Sequence, residues 1–200
     1  MSFRRASLFL LPLALAAAPA AASPTAVPSE GAASTHLQMK IVSYDGYTNG
    51  GMTVEVTNRG QSTETFSAQG LFFVPDANPN EAPQRLGAVG PMRIDGDDAR
   101  RDKVAIPPGG KIVAHLEVYC IDSHRSSPSP TTKFHVAEKR MPRELSTGIA
   151  ADASTAAQPY GGVASPSPAA KSAVQGQVWK NRDKKWIPLE GEGNQENAKH

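Results

Sequence analysis

Ten residues from Lys111 to Cys120 (KIVAHLEVYC) alternate so regularly that they admit one backbone conformation and one side to bury. Ile112, Ala114, Leu116, Val118 and Cys120 fall on one face. Lys111, Val113, His115, Glu117 and Tyr119 fall on the other. Successive side chains of a strand point to opposite faces, so the first set is predicted to line a core. Just upstream, Pro107-Pro108-Gly109-Gly110 reads as a turn, because Pro fixes φ and Gly accepts φ > 0. Lys103 to Ile106 precedes it as a second strand, and the spacing predicts a hairpin over Lys103 to Cys120. Cys120, the only cysteine of the chain, ends the inward row. Asp122, Ser123, His124 and Arg125 follow at the exit, ahead of a Pro/Ser loop.

Further strand signals lie on both sides. Leu37–Ser43 and Met52–Thr57 alternate. Thr63–Ser67, Gly70–Val74, Met92–Ile94 and Lys133–Glu138 are short β-favouring runs. Asp45-Gly46, Asn49-Gly50-Gly51 and Asn58-Arg59-Gly60 punctuate them as turns. Asp76–Ala88 and Gly96–Arg101 read as loops. Short strands at this spacing predict a mostly β domain, a single Ig-like β-sandwich over residues 36–142.

The ends differ in composition. Arg4 and Arg5, the apolar run Leu8–Ala18 and the small residues Ala20-Ala21-Ala22 form the pattern of a secretory signal peptide over 1–22. The run is shorter than the roughly 20 residues that span a bilayer, and no later run is long enough. Residues 23–35 read as a disordered leader. Residues 143–167, rich in Ala, Ser, Pro and Gly, read as a flexible stretch. Ser167-Pro168 then looks like an N-cap followed by Pro at the first helical position. Ala170, Ala173, Val174 and Val178 recur at helical spacing, which predicts a short helix over Ala169–Lys180. Residues 168–190, with both tryptophans, Trp179 and Trp186, are expected to pack on the sandwich. The polar tail 191–200 is expected to be disordered.

The formal charge of +2 falls to zero once Arg4 and Arg5 leave with a signal that holds no acid. A near-neutral mature chain argues against nucleic acid as partner, since phosphate binding needs concentrated Lys and Arg. A lone cysteine cannot close an internal disulfide. In an exported chain it suggests pairing between molecules or a thiol with a task, against the alternative of a small buried hydrophobe.

Three chemistries can be built on Cys120. A cupredoxin-like copper site needs two His and a Cys. Cys120 and His124 supply two groups, but His115 points to the opposite strand face and His36 lies beside the leader. A Cys–His nucleophile with His124 or His135 lacks any protease signature, and Asp122 would raise the thiol pKa. The third is a crosslink. Tyr119-Cys120-Ile121-Asp122 resembles the aromatic–Cys–aliphatic–acid motif of the thioester domains of bacterial surface adhesins. Val174-Gln175-Gly176-Gln177-Val178-Trp179 resembles their second motif, an aliphatic residue and Gln followed by an aliphatic–Trp pair on a helix. The resemblance covers these two motifs only. It implies that the Cys120 thiol displaces ammonia from the Gln175 amide, with Gln177 as the alternative donor, and that a partner lysine later opens the thioester. Tyr119, Asp122, His124 and Trp179 would support the site, His124 as a base and Trp179 as a shield against water.

Two function classes lead, with a third, a cupredoxin-like metal-binding electron carrier, behind them. One is a secreted, extracellular or periplasmic, non-catalytic binding or structural module that recognises a protein or cell-surface ligand. The other is a self-modifying thioester domain acting in cell adhesion. Neither is a turnover enzyme, and neither calls for a cofactor or a metal.

Overall fold

The structure, a computed structural model, describes residues 23–30, 35–46, 48–164, 166–184 and 186–193. The signal-peptide reading of 1–22, the leader residues 31–34 and the tail 194–200 lie outside the described residues. The strands are β1 (Thr25–Ala26), β2 (Leu37–Tyr44), β3 (Asn49–Asn58), β4 (Glu64–Ser67), β5 (Phe72–Pro75), β6 (Leu86–Ala88), β7 (Met92–Ile94), β8 (Asp97–Arg101), β9 (Lys103–Ile106), β10 (Lys111–Cys120) and β11 (Phe134–Val136). Two helices follow, α1 (Arg143–Ala157) and α2 (Pro168–Lys184).

The chain is mostly β with a helical C-terminal part. Its main sheet is antiparallel and runs β1-β2-β3-β10-β6-β5-β11, with β7 also on β10 and β8 on β7. The sheet curls until β11 comes back beside β2. Met39 and Ile41 on one edge, with Phe134 and Val136 on the other, line a gap of about 220 Å³ between them. β10 is the central strand, and its alternation has the predicted consequence. Ala114, Leu116, Val118 and Cys120 are buried inside, where Ala114 and Leu116 sit opposite Val54 and Met52 of β3. Lys111 is exposed, and His115 and Glu117 are half-buried.

The predicted hairpin is corrected. β9 pairs with β4 in a separate two-stranded sheet, so the turn hands the chain from one sheet to the other. The turn itself is as read: the Gly110 N–H donates to the Pro107 carbonyl at 2.9 Å, and Gly109 has φ +67°. Buried Asn58 holds the crossover. Its side-chain amide donates to the Ile106 carbonyl at 2.9 Å, and its main chain pairs with Gly109 and Gly110. The charged loop predicted at Gly96–Arg101 is in fact β8, an exposed edge strand on β7 braced by Arg101–Asp97 and Arg100–Glu117 ion pairs. Part of the loop predicted at Asp76–Ala88 is β6, paired with β10.

The low-complexity readings are also corrected. Residues 143–157 form α1, because an Ala-rich run has high helix propensity and Leu145, Ile149, Ala153 and Ala157 recur every fourth residue on one buried face. That face packs on α2. α2 begins as predicted, with the Ser167 hydroxyl accepting the Ala170 N–H at 3.2 Å, and runs one turn past Lys180. Within the leader, β1 pairs with β2 and Val27 is buried in the sheet interior. Within the tail, Gly191–Gly193 are packed: Arg125 donates to the Gly191 carbonyl and Gly193 is buried.

Candidate functional site

At its last residue β10 outruns its neighbour. Tyr119 pairs with Asn49, the first residue of β3, and Cys120 lies one residue beyond that ladder, opposite Leu86 of β6. The Cys120 N–H therefore donates to the Thr48 carbonyl at 2.9 Å and also to Oε1 of Gln175 at 3.1 Å. Gln175 Nε2 in turn donates to the Cys120 carbonyl at 2.7 Å. One side-chain amide thus engages both main-chain polar groups of one residue, 55 positions away in sequence. Both residues are buried, Cys120 fully.

Gln175 reaches this position because the apolar stripe of α2 turns it inward. Ala170, Val174 and Val178 sit against the second buried cluster, between the sheet and the helices. Gln175 projects beside them toward the end of β10. Trp179 lies one turn on, on the same face. It packs against the sheet interior, and its indole N–H donates to Gln84 Oε1 at 3.1 Å. Gln84 is itself buried and donates to the Arg125 carbonyl. Gln177, the alternative donor, lies about 200° round the helix from Gln175 and is half-buried.

The remaining predicted residues take separate places. Tyr119 points to the helix side of β10 and is buried there, and burial raises its phenol pKa. Asp122 is fully enclosed in an ion pair. Its Oδ1 takes Arg85 Nη2 at 2.6 Å, and its Oδ2 takes Arg85 Nε at 2.8 Å and the Arg85 main-chain N–H at 3.0 Å. A carboxylate held this way anchors the strand exit. His124 is exposed at the surface, its ring 6.3 Å from that of Trp186. His115 pairs with Asp95, and His135 bridges Asp76 and Glu190. Among the described residues no three His, Cys, Asp or Glu side chains group as metal ligands.

Electrostatically the site keeps its thiol protonated. Burial, and then the Asp122 charge, push the Cys120 thiol up to about 12. Tyr44, across the interior, is likewise raised by burial and then by Cys120. A neutral thiol in a dry setting exchanges poorly with disulfides. A thioester made there would also be screened from water.

Gln84, Arg85, Arg182 and Glu192 went unnoticed in the sequence. Arg182 carried a usable signal: with Val174 and Val178 it falls at every fourth position of the buried stripe. Arg85 carried none, since it sits in a Pro-containing segment that reads as loop. In comparisons with known proteins no family model matches the chain, and no curated protein or solved structure does either.

Proposed function

We propose that this chain is an exported module that builds an internal thioester between Cys120 and Gln175 and uses it to attach covalently to amines of a protein or cell-surface partner. One observation carries the proposal: the Gln175 carboxamide lies buried against Cys120, with hydrogen bonds of 3.1 and 2.7 Å. These are the two residues that the adhesin-like motifs single out. In the forming step the Cys120 sulfur bonds to Gln175 Cδ and the Cδ–Nε2 bond breaks. The thiol proton leaves with the nitrogen as ammonia. In the opening step a partner amine bonds to Cδ, the C–S bond breaks, and one amine proton passes to the sulfur. Trp179, one turn past Gln175 on α2 and tied to Gln84, is the residue that would shield the pair from water. The curled sheet, with β4–β9 packed on the same interior, is the ground for an Ig-like assignment. The n-, h- and c-region pattern before Ser23 is the ground for export.

Intact-mass measurement tests the reading. The mature protein is expected one ammonia lighter than its sequence, and methylamine is expected to add its full mass to that form. Cys120→Ala and Gln175→Ala are each expected to abolish both changes. A fresh preparation with full sequence mass and a titratable thiol sinks the idea.

A second reading has an observation of its own. Both hydrogen bonds from the Gln175 amide go to main-chain atoms, so the side chain also works as a strand cap that fixes α2 to the sheet. In that case the chain is a non-catalytic binding module of full mass. Gln175→Leu then removes both of these buried hydrogen bonds between α2 and β10, at a cost of about 1–3 kcal/mol.

A further inference from the structure

Four charged side chains lie in the interior near the Cys120–Gln175 pair, and they form one connected chain. Asp122, two residues past Cys120, is gripped by both arms of Arg85. Arg85 Nη2 also lies 3.6 Å from Glu192 Oε1. The same Glu192 oxygen takes Arg182 Nη2 at 3.1 Å. Arg182 is two helical turns past Gln175, on the same face of α2. Arg85, Arg182 and Asp122 are almost wholly enclosed, and Glu192 is nearly so. Two cations and two anions make the chain neutral.

Enclosing four charges costs several kcal/mol per ion before their attraction offsets it. Well-packed apolar residues of similar volume often serve stability as well or better. What such a network supplies is a defined register. This one spans the gap between two elements that no ladder joins. Its Asp122 end is fixed to the exit of β10, with Ile121 also donating to the Arg85 carbonyl. Its Arg182 end is fixed to α2. The segment between is the C-terminal strap, which Arg85 holds through the carbonyls of Leu189 and Glu190, and Arg182 through that of Ile187. Arg182 also stacks over Trp186, 3.9 Å from the ring centroid.

We infer that Arg85, Glu192 and Arg182 are positioning residues that hold α2 in the register that seats the Gln175 amide on Cys120. As a statement about the reaction this rests on the thioester reading; as a statement about the Gln175 contact it does not. None of the three touches the reacting atoms. They act by fixing Asp122 and α2 relative to each other.

The test separates the two layers. In a full-length Cys120→Ala chain the main-chain groups that hold Gln175 remain and no thioester can form. Exchange of the Gln175 side-chain NH2 protons is then followed by NMR, beside the main-chain amides of β3 and β10. Adding Glu192→Gln is expected to speed Gln175 exchange about tenfold or more while β3 and β10 stay protected. Unchanged Gln175 exchange overturns the inference. If Glu192→Gln exposes the whole core, Arg182→Lys decides: it keeps the charge but loses the planar fork. Faster Gln175 exchange over a protected core supports the inference, and unchanged exchange rejects it. Glu192→Asp is expected to restore part of the protection. With Cys120 intact, Arg182→Lys is expected to lower the fraction of chains that have lost ammonia. Full mass in the parent chain would remove the thioester reading, and the exchange result would still decide the role of the network.

Discussion

The two faces of β10 look into two different interiors. Inside the curled sheet, Leu116, Val118 and Cys120 meet Met52, Val54, Val56, Phe66 and Phe73. On the outer side, Tyr119 and Ile121 meet Leu145, Ile149, Ala153, Ala157, Ala170, Val174 and Val178. The first interior is filled by long and branched side chains reaching across a sheet. The second mixes such side chains with the small Ala153, Ala157 and Ala170 of the two helices, which let the helices pack closely. The sheet interior depends on filling volume, the alanine positions of the helices on leaving little of it to fill, and the two kinds of position are expected to fail in opposite ways.

Deleting volume is expected to hurt the sheet interior most. Leu116→Ala removes a buried side chain opposite Met52 and is expected to cost about 2–5 kcal/mol in denaturant unfolding. A cost within the surface range would mean that β10 is not central. Adding volume is expected to hurt the helix layer. Ala153→Leu, at a fully buried position of α1, is expected to cost about 1–3 kcal/mol by overpacking. A neutral or stabilising result would reveal slack between the helices. Smaller again is the cap of α2. Ser167→Ala loses the acceptor for the Ala170 N–H and is expected to cost roughly 1 kcal/mol. The loss should appear as fraying of the first turn in hydrogen exchange, with β10 unaffected.

The same contrast decides what the sequence reveals. β2, β3 and β10 are legible because their residues alternate, whereas β6 (Leu86–Ala88) carries no alternation and reads as loop. The bounds of β10 and β7 were read correctly, and those of β2 and β3 to within a few residues. α1 was not legible: Ala, Ser and Thr give the same composition whether they solvate or pack, and only Leu145 and Ile149 mark its face. Pairing was less legible than strand position. β9 and β10 adjoin through a short turn, yet the side-chain amide of Asn58 takes the Ile106 carbonyl and sends β9 to β4. In the candidate site, Cys120, Gln175 and Trp179 stood out as types and spacings. Arg85 and Glu192 did not, because burial of a charge is set by partners distant in sequence. The charge of Asp122 was legible, and it does raise the Cys120 thiol, but its Arg85 partner was not.

The smallest expected effect bears on Cys120, which faces the sheet interior while main-chain contacts tie it to α2. A free thiol here has its pKa raised to about 12 in the folded chain, against about 8.5 unfolded. Between these values the unfolded chain has lost the proton and the folded chain still holds it. Stability therefore falls as pH rises, and the contribution is fully present below pH 8.5. Between pH 7 and pH 9 the loss is about 0.8 kcal/mol, set almost entirely by ionisation of the unfolded thiol. Tyr44 and Tyr119, also raised by burial, act only above about pH 10, where unfolded tyrosine ionises. The measurement is the unfolding free energy at the two pH values, taken relative to Cys120→Ala. Methylamine-opened protein, whose thiol is free, is expected to show the loss. Protein carrying the thioester has no proton at that sulfur in either state and is expected to show none. Equal pH dependence in the two forms would mean that methylamine changed nothing at Cys120, and would leave Gln175 with only the strand-capping role.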